Sequence, residues 1–444
     1  MSRYESSKKL LSPVWGHLSE SIVERASGSF IYTTCGKKLL DFSTGIGVVN
    51  TGHCHPRVVA AAQEQVGKLI HGQLNIVYHK PVLELVEELK PVVPEGLDTF
   101  FFSNSGAEAV EASIKLARHA TKKQNIITFV NSFHGRTVGT MSLGNSKIVY
   151  KNQYGPLMPG VHVAPYAYCH RCPCKQQRKS AEDCCNQPLL AVEMLLRQQT
   201  GPADTAAILL EPVQGEGGYV QPPKSFMQGL RKICDKHGIL LIYDEVQTGF
   251  GRTGKYFAAE LSGVKPDILV FAKAIASGFP LSGLVASKET HKHWQQGSHG
   301  GTYGANAVAC AAAVATQRVI KEEKLVENAA ARGEQLTKLL LQLKDKYPQI
   351  SDVRGPGLMI GVEFYDERDN AYPFPGHDSK HTVKYGFTGA LTKKCLDHGM
   401  LILNTGAHET LRFIPPLTVS AEEIELGVEL FEKGLKDTLK ELAN

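Results

Sequence analysis

Ala206-Ala-Ile-Leu-Leu-Glu211, Ile239-Leu-Leu-Ile-Tyr-Asp244 and Asp267-Ile-Leu-Val-Phe-Ala-Lys273 decide how this chain folds. Each is a short apolar run that closes on, or one residue before, an ionisable side chain. Short apolar runs bounded by polar turns read as buried strands. Thr99-Phe-Phe-Phe102 and Asn125-Ile-Ile-Thr-Phe-Val130 continue the series, and amphipathic helices fill the gaps between Thr99 and about Ser287. Strands alternating with helices at this spacing predict an α/β body, a mostly parallel sheet flanked by helices on both faces.

Outward from that body the pattern changes. Upstream, Ser27 to Ser43 alternates like strands around a Gly-containing turn at Cys35–Lys38. The Gly- and His-rich turn Thr44-Gly-Ile-Gly-Val-Val-Asn-Thr-Gly-His-Cys-His-Pro56 and a helix from about Arg57 follow. Downstream, one long helical stretch is expected from Ala305 to about Tyr347. The last hundred residues mix three strands (LMIGVEF, LILN, LRFIP) with two helices, a smaller α+β lobe.

Bulk properties exclude several classes. A chain of 444 residues buries enough apolar surface to need no disulfide or metal as a staple. Its composition, 42 % apolar and 21 % charged, argues against disorder, collagen and coiled coil. The net charge, 49 − 44 = +5, is spread along the chain, so no nucleic-acid face is expected. No stretch has the length and apolarity of a membrane span, and the first twenty residues lack the apolar core of a secretory signal. A cytoplasmic enzyme is the expectation.

In open α/β sheets ligands bind beyond the carboxyl ends of the strands. Glu211, Asp244 and Lys273 all stand there. A charge returning to water explains any one of them; three on one sheet edge suggest a site. The stretch Phe100-Phe-Phe-Ser-Asn-Ser-Gly-Ala-Glu108 adds a strand running into a helix, with acidic residues in its first turn and basic ones in its last. Ser105, Gly106 and the free amides of that turn suit a phosphate. Together, a phosphate-binding helix terminus, a strand-end acid and a strand-end lysine describe a pyridoxal-phosphate site. There the lysine forms a Schiff base and the acid keeps the ring nitrogen protonated. Gly249-Phe-Gly-Arg-Thr-Gly254 matches the dinucleotide fingerprint, but five residues separate it from its strand and no acid ends a later strand about 20 residues on.

Over essentially its whole length the chain resembles the class III aminotransferases of the fold-type I pyridoxal-phosphate family. The blocks DFSTGIGVVNTGHCHP, SNSGAEAVEASIKLAR, FHGRT, EPVQGEGG, LLIYDEVQTGFGRTG, FAKAIASGFPLSG, HGGTYGANAVACAAA and LRFIPPLT carry the likeness. Among subfamilies it looks most like the 4-aminobutyrate aminotransferases. The resemblance implies a large cofactor-binding domain over 55–322 and a small domain built from 1–54 and 323–444. It implies pyridoxal 5′-phosphate as cofactor, Lys273 as the Schiff-base lysine and proton carrier, and Asp244 as partner of the ring nitrogen. Gln247 would meet the ring hydroxyl, with Val246 and Phe133 on the two ring faces. Ser105, Gly106 and Ala107 would hold the phosphate together with Thr302 of a second subunit, making a homodimer whose sites are shared.

The same resemblance implies a substrate scheme. Arg136 would bind the distal carboxylate of an ω-amino acid beside Ile46, and Arg412 the α-carboxylate of glutamate or 2-oxoglutarate. Glu211 would neutralise Arg412 when no α-carboxylate is present, because a buried unpaired charge is costly. The reaction would convert 4-aminobutyrate and 2-oxoglutarate to succinate semialdehyde and glutamate. Ornithine, acetylornithine, β-alanine and lysine remain alternative donors, and racemisation or decarboxylation alternative outcomes. His134 and His55 are read as turn-shaping residues, and an alternative reading of Arg136 is a salt-bridged loop residue.

Residues 168–186 form a Cys-rich insertion. Idle thiols are the favoured reading, with no metal expected. Zinc on four ligands chosen from Cys169, Cys172, Cys174, Cys184 and Cys185 is one alternative, although the adjacent pair is awkward for one ion, and a disulfide, which a cytosolic setting disfavours, is the other.

Overall fold

The computed structural model describes residues 4–175, 180 and 183–443. Its central sheet runs in the order Thr99–Ser103, Ser282–Ala286, Ile268–Phe271, Leu240–Asp244, Thr205–Leu210, Asn125–Phe129, Val161–Ala164. Neighbours are parallel except at Ser282–Ala286, which is antiparallel to both strands it touches. Every residue of Thr205–Leu210 is buried, as a strand covered on both faces requires. The parallel strands share a direction, so Glu211, Asp244 and Lys273 emerge at one edge.

Two smaller sheets bring the chain ends together. Val23–Ser27, Phe30–Thr33 and Lys38–Asp41 form a meander whose last strand pairs in parallel with Met400–Leu401. Ile350–Arg354, Ile360–Phe364, Thr410–Phe413 and Leu403–Asn404 form an antiparallel sheet beside helices Phe387–Asp397 and Ala421–Ala443. Among the described residues no helix is long and apolar enough to cross a membrane.

Three details differ from the sequence reading. The long helical stretch is two helices, Ala307–Glu322 and Leu325–Lys346, divided where Lys324 turns left-handed at φ 52°. No Gly or Pro marks that break; its trace in the sequence is the charged run Lys321-Glu-Glu-Lys324, which interrupts the apolar face. The strands Val161–Ala164 and Ser282–Ala286 are additional. The segment Gly249–Gly254 is a buried joint: Arg252, fully covered, donates to Leu358 O, Pro415 O and Asn50 Oδ1, tying the large sheet to both chain ends.

That joint is braced by helix Leu325–Lys346. A Cβ on Gly333 would lie 2.2 Å from Gly357 O, and Gly357 itself abuts the Thr253–Gly254 backbone. Gly→Ala inside a helix normally stabilises by about 1 kcal/mol. Gly333→Ala should reverse that sign and destabilise by about 1–3 kcal/mol through overpacking. Denaturant unfolding checks it.

Candidate functional site

The sheet edge opens into a cavity of about 500 Å³. It is lined by Ile46, Ser105, Gly106, Ala107, Phe133, Arg136, Glu211, Asp244, Val246, Gln247 and Lys273 of the expected set. Arg412 and Thr302 are not in its lining. Thr302 lies in an exposed turn. The N-terminal wall is a left-handed turn: Thr44, Gly45, Ile46 and Gly47 have φ of 47, 63, 68 and 73°. A β-branched residue in that region carries strain of about 1–3 kcal/mol. Asp41 holds it there, Oδ1 accepting from Ser43 N, Ser43 Oγ and Thr44 N at 2.8, 2.6 and 3.0 Å.

Helix Gly106–Thr121 starts with a capping box. Ser105 Oγ accepts from Glu108 N, while Glu108 Oε2 accepts from the amides of Asn104 and Ser105. The cap consumes those donors and leaves the amides of Gly106 and Ala107 at the cavity wall as an anion site. A Cβ on Gly106 would come 2.9 Å from Val246 Cγ1, so only glycine lets the helix terminus approach this closely.

Asp244 ends its strand nearly buried. Its Oδ2 is 2.7 Å from His134 Nδ1 and its Oδ1 accepts from Val246 N at 3.1 Å. His134 is therefore more than a turn former: it orients the strand-end acid, and its own Nε2 reaches Thr128 Oγ1 at 3.4 Å. The sequence signal was its place between Phe133 and Gly135, opposite no recognisable partner. His55, the other histidine read as turn-shaping, lies 3.2 Å from Glu323. Among the described residues, Gln247 Oε1 is buried without a hydrogen-bond partner.

Lys273 follows its strand in a left-handed conformation, φ 49°, which projects it from the sheet edge. Burial, and then the Arg412 charge, pull its amine down to about 8. A buried amine that sheds its proton near neutrality can act as nucleophile and base.

The expected Glu211–Arg412 pair is not formed. Glu211 Oε1 accepts from Phe133 N at 3.0 Å and Oε2 from Gly215 N at 2.8 Å, so its carboxyl ties two cavity loops together through their amides. Burial, reinforced by Asp244 against the relief from His134, raises it to about 7. The partner of Arg412 is Glu216, five residues on, with Nη1 to Oε1 at 2.5 Å. The physical reason is reach. Glu211 leaves its strand beside the amides that capture it, whereas Glu216 stands in a glycine-flanked loop that faces strand Thr410–Phe413. Burial would raise the Glu216 carboxyl, but Arg412 outweighs it and holds it below the usual range.

That loop is clamped from outside. Arg354 donates Nε and Nη2 to Gly218 O at 2.9 and 2.6 Å and pairs with buried Glu363. Tyr168 and Arg171 of the Cys-rich insertion bond the same Glu363. The insertion thus supports the loop mechanically. Its cysteines are free thiols, with Cys172 and Cys185 Sγ 3.3 Å apart. Among the described residues no group of three or more His, Cys, Asp or Glu could hold a metal ion. Residues 176–179, 181 and 182 of the insertion lie outside the described residues.

Arg136 has no ion-pair partner among the described residues. Its guanidinium sits 4.7 Å over the ring of Tyr150, which also lines the cavity and meets Phe133 edge-on. Tyr150 was invisible to motif reading because it belongs to no recognisable block.

The family described as "Aminotransferase class-III" matches residues 12–435. A 5-aminovalerate aminotransferase of Pseudomonas aeruginosa is 39 % identical over 94 % of this chain and 93 % of its own length. A 4-aminobutyrate aminotransferase of Escherichia coli is 38 % identical, covering 94 % of both. Among solved structures, the omega transaminase of Pseudomonas jessenii in complex with PMP superimposes with TM-score 0.90 at 28 % identity, over 99 % of both chains.

In cofactor-free protein, competitive acylation read by peptide mass spectrometry should show Lys273 titrating near pH 8. Exposed lysines should titrate near ~10.4. Reactivity of Lys273 rising only with the exposed lysines would contradict the desolvated site.

Proposed function

The chain belongs to the class III aminotransferases, and on that footing we propose that it moves the amino group of an ω-amino acid, 4-aminobutyrate first, to 2-oxoglutarate. Enzymes of this family use pyridoxal 5′-phosphate, and the residues present fit it. The Gly106 and Ala107 amides suit its phosphate, and the orphaned Gln247 Oε1 suits its hydroxyl. Asp244, fixed by His134, suits its ring nitrogen. When bound, the cofactor supplies the electron sink that makes the substrate carbon acidic. Lys273 Nζ takes and returns the proton at that carbon, which its lowered basicity suits.

One observation carries the choice of substrates: among the described residues Arg136 has no ion-pair partner, while Arg412 is covered by Glu216. An ω-amino acid has one carboxylate, and Arg136 takes it. Arg412 then keeps Glu216, so no buried guanidinium is left bare. Glutamate and 2-oxoglutarate have two carboxylates; the α-carboxylate displaces Glu216 and binds Arg412 through the same forked donors. Arg412 Nε, buried and without a hydrogen-bond partner among the described residues, supports a second acceptor oxygen there.

The same reading makes the enzyme a cytoplasmic homodimer with Thr302 supplied across the interface. It also divides the chain into a large body over 55–322 and a small one from 1–54 and 323–444. The similarity to a 5-aminovalerate enzyme supports a donor one carbon longer as a second reading, gripped by the same Arg136.

The purified yellow protein, given 4-aminobutyrate and no keto acid, should lose its absorbance above 400 nm (on the order of one equivalent per chain). Addition of 2-oxoglutarate should restore it. A spectrum unmoved by 4-aminobutyrate or 5-aminovalerate would overturn the ω-amino acid assignment.

A further inference from the structure

The exchange of partners at Arg412 leaves a question about Glu216. When Arg412 turns to a substrate carboxylate, Glu216 becomes a buried anion without its cation. Moving a carboxylate that is 8 % exposed away from its guanidinium is opposed by the same desolvation that made the pair necessary. The exchange works in both directions only if a second cation waits within reach.

One does. Lys147 Nζ lies 3.8 Å from Glu216 Oε2, the oxygen that Arg412 does not hold through Oε1. Its position is set by packing. A Cβ on Gly406 would fall 2.6 Å from Lys147 Cε and 2.9 Å from its Cγ, so the aliphatic stem lies on bare glycine backbone. The Gly406 amide in turn donates to Glu216 O at 3.0 Å. The ammonium also sits 5.8 Å from the Tyr150 ring, the same ring that Arg136 covers. Lys147 therefore touches both substrate arginines' surroundings without being a ligand of either. The remaining nearby cation, Lys273, is committed to proton transfer, and holding Glu216 would lock its proton.

We propose that Lys147 is the positioning residue that receives Glu216 when Arg412 binds an α-carboxylate, and so sets the balance between one-carboxylate and two-carboxylate substrates. The proposal rests on the two-arginine reading above. In the closed arrangement Glu216 bridges Arg412 and, at longer range, Lys147. In the open arrangement the Lys147 contact shortens and alone neutralises the carboxylate. Lys147 is a third exposed at its side chain, so its ammonium can follow Glu216 over a short arc without being desolvated anew.

The test is Lys147→Met, which keeps the stem on Gly406 and removes the charge. Single-turnover kinetics of the holoenzyme should show KM for glutamate and 2-oxoglutarate rising on the order of fivefold, as for a partly exposed ion pair, with the 4-aminobutyrate half-reaction within about twofold of wild type. Lys147→Arg should restore the glutamate reaction. In a Glu216→Ala background, adding Lys147→Met should change nothing further, because the residue acts through Glu216. Equal losses in both half-reactions of Lys147→Met would overturn the proposal and leave the two-arginine reading standing. A further loss with glutamate in the Glu216→Ala background would also overturn it, assigning Lys147 to direct substrate contact. A wild-type enzyme that fails to react with either 4-aminobutyrate or glutamate would overturn the reading and this proposal together.

Discussion

A guanidinium buried on strand Thr410–Phe413 must always face a carboxylate, and much of the cavity wall is arranged around that need. Arg412 is 5 % exposed and Glu216 answers it at 2.5 Å. The loop carrying Glu216 is held in place from three sides: by Glu211 through the Gly215 amide, by Arg354 through Gly218 O, and by Gly406 through Glu216 O. Glu363, buried between Arg354 and Arg171, ties that clamp to the Cys-rich insertion. Such a network holds its geometry, since each buried charge in the clamp has more than one partner: Arg354 also meets Asp352 and Arg171 also meets Asp369. In the proposed exchange the Glu216 side chain is the element that moves.

The opposite wall follows a different rule. Asp244 and Lys273 sit at neighbouring strand ends because parallel strands deliver their carboxyl termini to one edge. Their chemistry is then set by surroundings. His134 fixes the rotamer of Asp244, and burial together with Arg412 lowers the basicity of Lys273. The guanidinium proposed to take a substrate carboxylate therefore also lowers the basicity of the lysine, so that one charge would link recognition and proton transfer.

The legible part of this architecture was the part written in strand ends. Buried apolar runs followed by Glu211, Asp244 and Lys273 locate the edge, and the Ser105-Gly106 helix start stands at the cavity wall beside it. The misread part was the pairing of side chains across long sequence distances. Glu211 and Glu216 belong to one block, EPVQGEGG, and only the folded loop shows which one reaches Arg412. The useful signal was the glycine on each side of Glu216, which frees the backbone to present an acid away from its own strand. His134 escaped for the same reason, as its partner lies 110 residues away, whereas Tyr150 packs on nearby Arg136 but stands in no recognisable block. The break at Lys324 escaped because no Gly or Pro stands there; the charged run Lys321-Glu-Glu-Lys324 was its trace.

The ion-pair exchange at Arg412 is tested most directly by Glu216→Ala, with both half-reactions followed in a stopped-flow spectrophotometer. Without Glu216, 4-aminobutyrate leaves Arg412 buried and bare, whereas glutamate still covers it. The expected result is a loss with 4-aminobutyrate at least about tenfold larger than with glutamate, equivalent to roughly 1.4 kcal/mol of the unpaired-charge cost. Equal losses with the two substrates would contradict the exchange and reduce Glu216 to a structural partner of Arg412.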